Sequence, residues 1–130
     1  MINLLTKLMP DKKPRPLAIN LKKKSRLLKI EFDDGSVFDL SCELLRVHSP
    51  SAEVRGHGPG QEVLQLGKEN VAIEDVVAVG HYAVKLVFDD GHDSGIYSWD
   101  FLYDLGCNQE RYWQNYLQAL AKAGYARQPQ

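Results

Sequence analysis

At 130 residues, with 44% hydrophobic and 9% aromatic content, the chain can bury one core without disulfides or a structural metal, so a single globular domain is expected. Its two cysteines, Cys42 and Cys107, lack any Cys-x-x-Cys spacing, which excludes a disulfide framework and a thiolate zinc site and fits a reducing, cytoplasmic setting. The formal net charge of −1 conceals an asymmetry: residues 1–29 carry nine Lys or Arg against Asp11 alone (+8), residues 30–130 seven against sixteen acids (−9), so the body repels phosphate.

The chain opens with MINLLTKLMP, an apolar run broken by Lys7 and stopped by Pro10, too short for a signal peptide or a membrane span. Residues 1–16 read as a basic, Pro-containing arm, and the domain proper as residues 17–124. Ala18 to Leu21 predicts a short strand, Lys22 to Ser25 a turn, and Arg26 to Phe32 a second strand with Leu28, Ile30 and Phe32 on one face. Lys22, Lys23 and Lys24 fit a solvated turn; no aromatic is interleaved to stack a base, which argues against a nucleic-acid partner. Asp34-Gly35 predicts a tight primed turn, Ser36 to Leu40 a third strand, and Ser41 the cap of a short helix from Cys42 to Val47. Cys42 reads as a buried small hydrophobe.

Val47 to Gly67, rich in Gly, Pro, Ser and His, predicts mostly loop with a brief strand at Glu62 to Leu66. Val71 to Val79 predicts another strand, with Gly80 as a bulge or hairpin point. The earlier unit then recurs: Tyr82 to Phe88 alternates, Asp90-Gly91 turns, Ile96-Tyr97 returns, and Ser98 caps Trp99 to Leu105. The offset is 56 at the glycines Gly35 and Gly91 and 57 at the serines Ser41 and Ser98. Asn108 then caps a helix over 108–123, with Trp113, Tyr116, Leu117 and Leu120 on one face and Gly124 ending it, before a tail over 125–130. The fold class that follows is α+β: a mainly antiparallel β-sheet built from two similar β-hairpin and short-helix halves, plus a C-terminal α-helix.

The polar loop from Arg46 to His57 is the stretch that packing explains least, with His48, Ser49, Ser51, Glu53 and Arg55 between those ends. His92, Asp93 and Ser94 stand where the first copy has Ser36, Val37 and Phe38, so the two halves depart there. No Gly-x-Ser-x-Gly elbow accompanies the serines, which argues against a serine hydrolase. A calcium loop counted from Asp90 would need glutamate where Phe101 stands. A transition-metal site through His92 with His48 or His57 and a carboxylate stays open, as does a small enzyme using His92 as base and Asp93 as orienter.

With Phe32-Asp33-Asp34-Gly35, the run from Leu45 to Gly58, Val79 to Val84 and Asp90 to Trp99 in view, the chain from about Ala18 to Leu105 resembles the gamma-butyrobetaine hydroxylase-like N-terminal domain family. The resemblance implies a stand-alone bacterial domain without established activity, related to domains that precede the catalytic domain of carnitine-pathway dioxygenases and to domains fused to P-loop iron-sulfur carrier ATPases. In the dioxygenase versions it implies a zinc module whose cysteines fall on Ser49, Ser51 and Val54 and whose histidine falls on His92. Only His92 keeps a ligand, so no metal or other cofactor is expected, iron or zinc being the alternative. The resemblance also sets the loop from Ser49 to Val54 beside His92. The expectation is a non-enzymatic interaction or adaptor domain, linked to iron-sulfur assembly, with a protein partner that could be a P-loop iron-sulfur carrier ATPase. Its polar surface would comprise Arg46, His48, Ser49, Ser51, Glu53, Arg55, His57, His92, Asp93 and Ser94.

Overall fold

A computed structural model of the chain describes residues 13–128; most of the expected arm over 1–16 lies outside them. The element order is β1 (Pro16–Lys22), β2 (Leu27–Phe32), β3 (Val37–Ser41), α1 (Cys42–Val47), α2 (Ala52–Arg55), β4 (Ile73–Val79), β5 (Ala83–Phe88), β6 (Ile96–Ser98), α3 (Trp99–Cys107) and α4 (Gln109–Lys122). The α+β class holds. The two halves form separate antiparallel sheets, β1-β2-β3 and β4-β5-β6, and not the single sheet that the repeat alone implies.

Both sheets nevertheless feed one core. Leu28, Ile30 and Phe32 of β2 and Leu40 of β3 cluster with Val84, Leu86 and Phe88 of β5, Tyr97 of β6, and Leu102 and Leu105 of α3. The period-2 pattern of each central strand sends one row of apolar side chains to this cluster. Cys42, buried at the start of α1, packs there as a small hydrophobe, and burial raises its thiol pKa.

The repeat extends to individual hydrogen bonds. The Phe32 amide donates to the Ser36 carbonyl at 2.8 Å and Gly35 to Phe32 at 3.1 Å; Phe88 donates to His92 at 3.0 Å and Gly91 to Phe88 at 3.2 Å. These are three-residue loops, with a turn over two aspartates followed by a left-handed glycine, Gly35 at φ +91 and Gly91 at φ +88. The primed turn expected at Asp34-Gly35 and Asp90-Gly91 is therefore corrected: it requires positive φ at both central residues, and Arg26 is the only non-glycine with positive φ among the described residues. The first aspartate of each pair ties down the preceding segment. Asp33 accepts from the Arg15 amide and Asp89 from the Ala72 amide, each at 3.1 Å, and their own amides donate back to the same residues at 2.9 Å. The second aspartate, Asp34 or Asp90, accepts the amide beyond the glycine. Phe-Asp-Asp-Gly is thus a clamp used twice.

Three further expectations change. Residues 61–66 contain no strand, because their backbone lies against α2 and α4 and not beside a pairing strand: Val63 N–H donates to Val54 O at 2.8 Å and the Tyr116 hydroxyl to Gln65 O at 2.6 Å. Tyr82 precedes β5 and is 63% exposed, outside the buried row. Asn108 precedes α4 but its side chain does not cap it; the amide donates backward to the Asp104 carbonyl and carboxylate. On α4, Tyr116 and Leu120 are buried with Val47, and Trp113 and Leu117 pack against them as the spacing predicts. Among the described residues, no helix is long and apolar enough to cross a membrane.

Candidate functional site

Between β5 and β6 the second copy replaces strand with the segment His92 to Gly95, which meets the loop following α1. The local sequence makes that meeting rigid. Ser41 caps α1, and Ser51 caps the single turn of α2 by accepting the Glu53 amide at 3.2 Å. A serine followed by Ala-Glu is a readable cap signal, and it places a helical turn inside the expected loop.

The center is a chain of three side chains. Ser49 Oγ lies 2.8 Å from His92 Nε2, and His92 Nδ1 lies 2.9 Å from Glu53 Oε2. A carboxylate can only accept, so Nδ1 carries the proton; in the neutral ring Nε2 accepts from the Ser49 hydroxyl, whose oxygen accepts the Ser51 amide at 3.3 Å. Ser51 and Ser94 hydroxyls meet at 2.7 Å. The loop from Ser49 to Val54 therefore does lie beside His92. Glu53, not Asp93, orients the imidazole; Asp93 is exposed. The order hydroxyl, imidazole, carboxylate matches a nucleophilic triad, but Ser49 is 0% exposed, so in this conformation its hydroxyl offers no face to a substrate carbonyl.

Beneath this chain sits an ion pair. Arg46 Nε donates to Asp90 Oδ2 at 2.8 Å, and Lys68 Nζ reaches the same oxygen at 2.6 Å. Burial opposes ionisation of Asp90, but the bonds from Lys68, the His92 amide and Arg46 hold its carboxyl at about 2. The Arg46 guanidinium also lies over the Phe88 ring, 6.0 Å from its centroid. Arg46, Ser49, Ser51 and His92, expected on a polar surface, are all buried; their bonding capacity is turned inward, and they support the surface without composing it. Glu53, Arg55, His57, Asp93 and Ser94 are exposed.

His48 points elsewhere. As the residue closing α1 it bonds the Leu44 carbonyl through Nδ1 at 3.0 Å and meets the rings of Tyr112 and Tyr116 edge-on. Burial lowers its pKa, with the Leu44 carbonyl opposing and the Arg55 charge adding to the shift. His48 is thus turned to Leu44 and the tyrosine rings, while His92 is held between Ser49 and Glu53. The implied zinc positions do not fit the ion: Ser49 and Ser51 are hydroxyls, Val54 has no donor, and both nitrogens of His92 are taken. Among the described residues no group of three or more His, Cys, Asp or Glu side chains could hold a metal.

His48 instead borders a groove of about 410 Å³ between the polar loop, residues 62–65 and α4, lined by Val47, Val54, Val63, Leu64, Tyr112 and Tyr116 among others. Val63 is 53% and Leu64 37% exposed, so the wall offers apolar surface to solvent. Sequence reasoning missed this groove because its two sides are far apart in the chain.

The gamma-butyrobetaine hydroxylase-like N-terminal family model matches residues 19–103. An NMR solution structure is 55% identical, spanning 94% of this chain and 92% of the other at a TM-score of 0.78. A second NMR structure is 49% identical, spanning 92% and 94% with a TM-score of 0.78. A crystal structure of a protein with unknown function from Acidithiobacillus ferrooxidans is 39% identical, spanning 71% of this chain and 92% of the other with a TM-score of 0.60. No curated protein matches.

Proposed function

The chain belongs to the gamma-butyrobetaine hydroxylase-like N-terminal family, and from that premise we propose that it is a non-catalytic protein-interaction module. The observation that carries this reading is the pairing of a loop rigidified from within, Ser49 to His92 to Glu53, with solvent-facing apolar and polar groups on its outer side. A loop held by buried bonds loses little entropy on docking, which favours recognition. Glu53, Arg55, His57, Asp93 and Ser94 supply the polar rim, and Val63 and Leu64 the apolar contact. The implied kinship with domains fused to P-loop iron-sulfur carrier ATPases makes such an ATPase the first partner to test.

The test is direct binding of the purified chain to that ATPase, followed by capture from extract. Asp93→Arg and Val63→Asp change exposed side chains and leave the core intact. Binding by the wild type that both substitutions abolish supports the module. Partner binding unchanged by either substitution, or no retained protein at all, removes this face as the docking site.

A further inference from the structure

Arg55 lines the groove and Arg111 stands over one of its rings, and neither is paired with a carboxylate among the described residues. The Arg55 guanidinium lies 5.0 Å from the centroid of the Phe101 ring and that of Arg111 lies 5.0 Å from the centroid of the Tyr112 ring. Both rings line the groove. Among the described residues neither guanidinium forms an ion pair, whereas Arg46 and Arg127 each do. The acids on the same elements take their bonds from other side chains and not from these arginines: Glu53 accepts from His92, Asp104 from the Tyr112 hydroxyl and Asn108, and Glu110 from Gln114. Glu62 is the one carboxylate among the lining residues, and it is exposed. Two guanidiniums free of any carboxylate partner among the described residues therefore stand on rings of one apolar groove, each with its bonding fork open to an incoming carboxylate.

We propose that the groove receives an acidic segment of a protein partner, with a large apolar side chain between residues 62–65 and α4 and its carboxylates on Arg55 and Arg111. This rests on the interaction-module reading and names the chemistry of the partner. The volume suits one bulky side chain with part of its neighbour, the apolar wall supplies desolvation, and a guanidinium held on an aromatic face is pre-oriented for a carboxylate.

The experiment selects a displayed library of random dodecapeptides on the full chain, then measures fluorescence anisotropy with the enriched sequence. Enrichment of Asp or Glu flanking Leu, Phe or Trp is expected. Arg55→Gln and Arg111→Gln should each weaken binding about fivefold, the order of one charge pair. Val63→Asp should abolish it, Arg55→Lys should keep part, and Glu74→Gln, exposed on β4 away from the groove, should leave it unchanged. Enriched peptides without acids, or acidic peptides indifferent to both arginine substitutions, overturn the proposal. So does failure of the library while octanoate binds the wild type and not Arg55→Gln, which would make the groove a small-carboxylate site. Should the ATPase or an extract protein bind through Asp93 while no acidic peptide engages the groove, this inference falls and the module reading stands.

Discussion

A Cβ at Gly95 would lie 2.4 Å from Ser49 Oγ and 3.1 Å from the Tyr97 ring, so any side chain there displaces the hydroxyl that holds His92. Gly95→Ala should therefore destabilise the fold by about 1–3 kcal/mol through overpacking, and Ser49→Ala by about 1–2 kcal/mol through a lost buried hydrogen bond. In urea unfolding the two substitutions combined should cost less than their sum, since both break the same bond; full additivity would mean that Gly95 acts elsewhere. At His48 the effect is one of pH. Its pKa is lowered in the fold by burial, so as pH falls past about 6.5 the unfolded chain takes up the proton first. Stability that is complete above that value must decline toward pH 5. His48→Phe, which keeps a ring against Tyr112 and Tyr116, should flatten this decline in thermal melts at pH 7.5 and 5; an unchanged slope would assign the acid sensitivity to other groups.

Elements whose cause is local were legible in the sequence. Ser41 and Ser98 accept the Leu44 and Phe101 amides at 3.0 and 3.2 Å, and serine before a short apolar run is enough to foresee both caps. Each should cost about 1 kcal/mol as alanine, while Ser41→Thr and Ser98→Thr keep most of it; loss of helix signal without rescue by threonine would deny the capping role. Asn108 looked equivalent and is not, because Asp104 one turn earlier competes for its amide. The strands were legible through their period, and the Asp-Gly turns through glycine, although the turn type was not, since it depends on which backbone pair closes the loop. Apart from the single turn of α2, expected as loop although Ser51 signals its cap, what escaped the sequence was non-local. Arg46 finds Asp90 forty-four positions away and Ser49 finds His92 forty-three away, and only that pairing shows four expected surface residues to be buried supports. The groove escaped for the same reason: nothing near Val63 in the chain announces Tyr112.

On the scale of the molecule, two near-copies close one core, and the last residues close the remaining side. The tail expected at 125–130 is docked where it is described. Arg127 forms a two-point pair with Glu43, Nε to Oε2 at 3.0 Å, while stacking over Trp113. The Tyr125 hydroxyl and the Gln128 amide both donate to Glu69. Glu43 is only 5% exposed and lies on α1, which immediately precedes the polar loop. Removing residues 125–130 would leave its carboxylate buried without its cation, an arrangement that costs about 3–5 kcal/mol when one partner of a buried pair is lost. The truncated chain should show that loss in urea unfolding, and Glu43→Gln introduced into it should recover a substantial part, since a neutral amide needs no counter-charge. The same Glu43→Gln in the full chain should destabilise, because it strands Arg127. This reversal of sign separates a charge effect at Glu43 from the tail's packing over Trp113 and its bonds to Glu69; equal destabilisation in both backgrounds would show that the tail does not act through Glu43.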